Sequence, residues 1–202
     1  QFHSPLALLD TAVRYNLDLP ASVPGQSGVD RHPLRKLYIA QAPLDSLPKA
    51  LQEDVPTPRL VQEVGRGDLY GSSIWLGLEP TYTPLHRDPN PNLFVQLCGS
   101  KIVRLLPPDD GEQVYATVQA RLGRSSGNSR IRGVEMMAGE ERALLYDDVW
   151  EVRRAGEIQK RVMLQADLAP GDALFIPQGW WHSVKSTLTD GRLNGSVNWW
   201  FR

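Results

Sequence analysis

The sequence predicts a mainly β fold, a sandwich or barrel with short helices at its N-terminal end. Two observations carry that prediction. From Leu69 onward the apolar residues come in short runs bounded by Gly and Pro: IWLGL (74–78), LFVQLC (93–98), KIVRLL (101–106), RVMLQADL (161–168), ALFI (173–176) and SVNWWF (196–201). Runs of this length with turn signals between them are the signature of strands closing on themselves or on a second sheet. The second observation is size: 202 residues with 41% hydrophobic content suit one core, against a prior of about 100–200 residues per domain. The expected organisation is a single domain, with residues 1–68 as a helical lead-in and 69–202 as the β-barrel core.

Along the chain, residues 4–15 (SPLALLDTAVRY) predict a helix with Ser4 as N-cap and Pro5 in the first turn, where its missing N–H does no harm. Residues 20–35 are rich in Pro, Gly and Ser and predict loop, and 44–54 (LDSLPKALQED) predict a second short helix. The stretch 107–160 is the least patterned, with GRSSGN (123–128) as a flexible turn and GEERALLYDDVW (139–150) undecided.

Composition narrows the function. A formal net charge of −1 removes the overall attraction expected of a nucleic-acid or anionic-membrane binder. The Arg-rich stretch 121–161 is nearly balanced by acidic residues and predicts a solvated mixed surface. The single cysteine, Cys98, excludes an internal disulfide and a cysteine-based zinc cluster, and its apolar run predicts burial. It fits a reducing compartment, so an intracellular location, cytoplasmic or nuclear, is expected. No run of 18 apolar residues predicts a membrane span. The chain opens on Gln1 without a basic stretch ahead of an apolar one, which reads as a trimmed or processed start and not as a retained signal peptide. Nothing in the pattern specifies an oligomeric state.

The chemistry concentrates in two places. In PLHRDPNPN (84–92), His86 and Asp88 are two apart, which in an extended strand puts both side chains on one face and Arg87 on the other. In GDALFIPQGWWH (171–182), glycines flank a strand and Pro177 sets a corner, so His182 follows a rigid turn. Two imidazoles and a carboxylate form the facial triad that binds non-haem iron(II) and leaves three positions open. An isolated His-x-Asp pair is weak, since most such spacings are structural.

The segments TPLHRDPNPNLFVQLCGSKIVRLLPP (83–108), GDALFIPQGWWH (171–182) and SVNWWF (196–201), together with YIAQAPLDSLPKALQEDV (38–55), resemble the JmjC group of 2-oxoglutarate oxygenases. The likeness is to the small hydroxylases of the cupin-8 type and not to the long chromatin demethylases. It implies a double-stranded β-helix (cupin or jelly-roll) fold and an iron(II)- and 2-oxoglutarate-dependent dioxygenase that hydroxylates a side chain of a protein or peptide substrate. It further implies that His86, Asp88 and His182 hold the iron and that Lys101 pairs with the distal carboxylate of 2-oxoglutarate. Thr83, Asn92 and Tyr38 match positions that hydrogen-bond the cosubstrate, and Asn198 and Trp200 match an Asn and an aromatic near the iron.

The residues allow an independent reading of several of these. In KIVRLL, Lys101 shares a face with Val103 and Leu105 and so enters the barrel, where an ammonium needs an anion. The alternative is a turn residue snorkelling to water. Thr83 and Asn92 also fit a turn hydroxyl and a loop cap, and Tyr38 a core position. In SVNWWF, period two puts Asn198 and Trp200 on one face and Val197, Trp199 and Phe201 on the other, with barrel filling the alternative for Trp200. His3 and His32 read as solvated, Asp147–Asp148 as a surface loop, and Gly65-x-Gly67 as a turn, not a nucleotide fingerprint. Two other classes compete: a zinc or manganese cupin isomerase or hydrolase, and a barrel that binds without catalysis. A lysine demethylase of the same family is the alternative within the oxygenase reading.

Overall fold

A computed structural model describes residues 6–18, 37–64, 66–124, 138–151 and 162–202. Helix α1 (Ala7–Asp18) leads into strand β1 (Tyr38–Pro43), short helices α2 (Lys49–Asp54) and α3 (Arg59–Glu63), and strands β2 (Leu69–Leu78), β3 (Tyr82–Arg87), β4 (Asn92–Cys98) and β5 (Lys101–Leu106). Helices α4 (Pro108–Arg121) and α5 (Glu140–Trp150) precede β6 (Leu164–Leu168), β7 (Ala173–Ile176), β8 (Trp181–Ser186) and β9 (Leu193–Phe201).

The strands form two antiparallel sheets, ordered β1-β2-β9-β4-β7 and β3-β8-β5-β6. From β2 onward successive strands mostly alternate between them, which is the jelly-roll arrangement. Phe94, Ile176, Val103, Leu105, Leu168 and Val184 meet between the sheets. The outer face of the five-stranded sheet is covered by Leu44 and Val61 packing on Ile74, Val197, Trp199 and Phe201. Helices α4 and α5 cover the outer face of the other sheet, burying Val114, Val118, Leu145 and Val149 against Leu85 and Trp181.

Several expectations change. The β body begins at Tyr38, because β1 pairs with β2. The second predicted helix is split into a 3-10 turn (Leu44–Ser46) and α2, since Pro48 lacks an N–H and Leu47 before it is extended (φ −76°, ψ 158°). Residues 107–121, unpatterned in sequence, are largely helical: Pro108 occupies the first turn, and Asp109 and Asp110 sit where the helix dipole favours negative charge. Gly111 within α4 is required by packing, because an added Cβ would collide with the Trp181 indole. The undecided stretch 139–150 forms α5, and Asp147–Asp148 lie on it and not in a loop. Asp148 is 5% exposed and paired with Arg121 of α4 at 2.8 Å, so this part of the Arg-rich stretch is a helix–helix bridge. Cys98 is only partly buried. Ser4, Pro5, His3, the loop 20–35 with His32, Gly65 and most of 123–128 lie outside the described residues.

Candidate metal centre

Strands β3 and β8 set His86 directly opposite His182, with ring centroids 4.2 Å apart. A register shift between Thr83 and His86 marks a bulge in β3, and such a bulge re-aims the following side chain. It is pinned by Ser183 Oγ, which donates to Thr83 O (2.9 Å) and accepts from Trp150 Nε1 (2.9 Å). Asp88 follows β3 immediately. Arg87 points the other way, onto the Trp181 ring at 5.3 Å and toward Glu112 at 3.6 Å. One ligand-type atom from each of His86, Asp88 and His182 lies within 4.8 Å of the others.

Asp88 Oδ1 is 3.9 Å from His86 Nε2, and Oδ2 is 3.7 Å from His182 Nε2, too far for hydrogen bonds and consistent with an ion between them. Trp200 Nε1 (2.7 Å) and Asn92 Nδ2 (3.1 Å) both donate to Oδ2. Among the described residues none donates to Oδ1. His86 Nδ1 lies 2.8 Å from the Pro84 carbonyl, which can only accept, so Nδ1 carries a proton and Nε2 is the ring nitrogen on the Asp88 side. Burial, reinforced by His86, pushes the His182 imidazole down to about 4, so it is neutral near pH 7. Burial disfavours charge on Asp88 too, but His182, His86 and the Trp200 and Asn92 donors outweigh it and hold its carboxyl below the usual range. A neutral His182 imidazole, the Nε2 of His86 on the Asp88 side and an ionised carboxylate match the donor set a divalent cation needs.

The triad lines one cavity with Tyr38, Thr83, Lys101, Asn198 and Trp200. Lys101 is 3% exposed, and its only hydrogen-bond partner among the described residues is Ser196 Oγ, to which Nζ donates at 2.6 Å. Nζ also lies 5.5 Å from the Phe94 ring centroid. Burial pushes this ammonium down to about 7. Tyr38 stacks obliquely on Trp75 at 6.1 Å, and its hydroxyl lies beside Thr83; burial raises its pKa. Asn92 stands behind Asp88, away from the cavity lining, and accepts from Asn198 Nδ2 at 2.9 Å. Asn198 Oδ1 is buried and has no partner among the described residues.

Trp75, Gln41, Phe94 and Ser196 also line the cavity and were missed in the sequence. Ser196 was legible, since period two continues Asn198 and Trp200 back to it. Gln41 gave no signal: it sits in β1 at φ 57°, a conformation its sequence context does not specify.

A family model described as a cupin-like domain matches residues 22–202. The chain is 31% identical over 169 residues to a protein named lysine-specific demethylase JMJ30 from Arabidopsis thaliana, covering 84% of this chain and 34% of that protein. It is 28% identical over 167 residues to lysine-specific demethylase 8 from Danio rerio, covering 81% and 36%. It is 32% identical over 116 residues to HSPB1-associated protein 1 from Rattus norvegicus, covering 57% and 21%. The chain thus spans about a third of the length of the first of these relatives. With a jelly-roll of two antiparallel sheets and a family match over most of its length, the chain belongs to the cupin-like domain family, of the JmjC type.

Proposed function

We propose that the chain is an iron(II)- and 2-oxoglutarate-dependent oxygenase that hydroxylates a protein side chain, with His86, Asp88 and His182 as the iron ligands. The observation that carries this reading is the convergence, in one cavity, of a two-His, one-carboxylate set with a buried ammonium that forms no salt bridge among the described residues. A zinc or manganese cupin would need the triad but not Lys101. When bound, iron(II) and 2-oxoglutarate would supply dioxygen activation, one oxygen atom going into the substrate C–H bond and the other into succinate as carbon dioxide leaves.

The chain's own residues supply binding and orientation. Lys101 meets the distal carboxylate, with Thr83 and Tyr38 as hydroxyl donors beside it. Pro84 O fixes the His86 tautomer, while Trp200 and Asn92 orient Asp88. Asn198 ties the Asn92 amide in place through its own amide, and its carbonyl oxygen has no partner among the described residues. Phe94 and Val184 line the same space and limit water.

Demethylation of a methylated lysine is the second reading, favoured by the names of two relatives. One assay separates the two: iron-loaded protein with 2-oxoglutarate and ascorbate, offered a peptide library. A peptide gaining one oxygen with stoichiometric succinate supports hydroxylation, and formaldehyde from a methyl-lysine peptide supports demethylation. No 2-oxoglutarate turnover with any peptide, in protein shown to hold iron, would overturn both.

A further inference from the structure

A second buried charge lies beside the barrel end from which Lys101 enters. Glu79, the residue after β2, is 2% exposed, and its backbone N–H donates to Arg192 O at 2.9 Å. Its Oε1 accepts from Asn194 Nδ2 at 2.7 Å, while Oε2 is buried with no hydrogen-bond partner among the described residues. Asn194 Nδ2 also donates to Ser100 O at 3.0 Å, and Asn194 Oδ1 accepts from Gln96 Nε2 at 3.1 Å. Gln96 Nε2 in turn reaches Cys98 O (2.8 Å) and Gly99 O (3.1 Å). Every carbonyl of the β4–β5 turn from Cys98 to Ser100 is therefore held by this network. The turn leaves no slack: Gly99 is at φ 65°, and an added Cβ would lie 2.6 Å from Asn194 Nδ2 and 3.1 Å from Glu79 Oε1.

A buried carboxylate is costly without a partner charge, and one neutral amide is too little to balance it. The residue following the turn is Lys101, itself buried, with a serine hydroxyl as its one hydrogen-bond partner among the described residues. We propose that Glu79 is a positioning residue for Lys101, acting through Asn194 to fix the Gly99–Ser100 turn and through its charge to favour the ammonium form that the cosubstrate carboxylate requires. This rests on the oxygenase reading for the cosubstrate but not for the coupling itself. The mutual influence has the expected sign. Burial lowers Lys101, against which Cys98 and Glu79 act; burial raises Glu79, with Asp190 adding to the rise and the Asn194 donor, Arg192 and Lys101 opposing it. Tyr38, His86, Asp88 and His182 share the cavity with Lys101 on its other side.

The test is the Lys101 titration followed by NMR of its ε-methylene in the metal-free protein, assigned with Lys101→Arg, in wild type and Glu79→Gln. Glutamine keeps an acceptor for Asn194 and removes the charge, so folding is preserved while the coupling is lost. The expected result is a fall of the Lys101 midpoint by about half a unit or more. Calorimetry should show 2-oxoglutarate binding to manganese-loaded Glu79→Gln weakened several-fold at pH 8 and much less at pH 6. An unchanged Lys101 midpoint in Glu79→Gln would overturn the proposal. A wild type whose Lys101 responds to Glu79→Gln yet binds no 2-oxoglutarate would overturn the cosubstrate role and the oxygenase reading, while the Glu79–Lys101 coupling stood.

Discussion

Trp200 Nε1 donates to Asp88 Oδ2 at 2.7 Å, linking the last strand of the chain to the carboxylate that follows β3. Asn92 Nδ2 donates to the same oxygen at 3.1 Å and is itself held by Asn198. Two donors on one oxygen turn the carboxylate and leave Oδ1 available to a cation. Groups that orient a ligand this way typically contribute about 10–100-fold in metal affinity.

Trp200→Phe keeps the ring and removes the donor, so it should weaken iron(II) by about 10-fold or more with little change in fold. Asn92→Ala should weaken it further, because Asn198 Nδ2 then loses its acceptor inside the barrel. Anaerobic titration with iron(II), with circular dichroism as the fold control, reads both. Unchanged affinity in the two variants would show that Asp88 does not ligate through an oriented carboxylate.

His86→Ala and Asp88→Ala should abolish stoichiometric iron(II) binding while leaving the two sheets intact, since neither side chain belongs to a hydrophobic cluster. Retention of one iron per chain in both variants would sink the assignment of the centre.

The strands and the His86–Asp88 pair were legible in sequence for different reasons. LFVQLC, KIVRLL and SVNWWF announce strands because apolar runs bounded by Gly and Pro have few other uses. His86 and Asp88 stand out because a two-residue spacing in extended chain puts both side chains on one face, and Asp88 lies just past the end of β3. β8 (WHSVKS) gives no such signal. It is buried on both faces, between the cavity and helices α4 and α5, so its residues do not alternate. α4 was hidden by Pro107, Pro108 and Gly111, which imitate a turn until Trp181 explains the glycine. The Trp200–Asp88 and Glu79–Asn194 contacts join residues more than a hundred positions apart, a relation that local spacing cannot encode.

Gly111→Ala tests the link between the helical cover and the centre. The added methyl would press on Trp181, which is fully buried and precedes His182. Overpacking of this kind costs about 1–3 kcal/mol. The melting temperature should fall, and iron(II) affinity should fall with it as β8 shifts. A variant as stable as wild type would mean that α4 moves away without strain.

The cosubstrate affinity should depend on pH through Lys101. Its ammonium is pushed down to about 7 by burial, with Cys98 and Glu79 opposing the fall. Between pH 7 and the ordinary lysine value of about 10.4, the native lysine is largely neutral while the unfolded one is protonated. The unfolded state then binds more protons, so stability of the cosubstrate-free protein should rise with pH over that window and level off below pH 7. Lys101→Met should lose this rise. Binding of 2-oxoglutarate has the opposite slope: its carboxylate needs the ammonium, so above pH 7 a proton must be taken up with it, and affinity should fall by up to about tenfold per pH unit. Lys101→Arg stays charged throughout and should show a flat profile, at lower affinity because the planar guanidinium approaches differently. Lys101→Ala leaves the carboxylate buried and unpaired, a loss of about 2–5 kcal/mol, or roughly 30-fold and more, at pH 6.5. Denaturant unfolding of the cosubstrate-free wild type and Lys101→Met from pH 6 to 10 reads the stability, and calorimetry on manganese-loaded wild type, Lys101→Arg and Lys101→Ala from pH 6 to 9 reads the affinity. Equal affinity for wild type and Lys101→Ala at pH 6.5 would show that the cosubstrate is anchored elsewhere, and a flat wild-type profile would show that Lys101 stays charged without it.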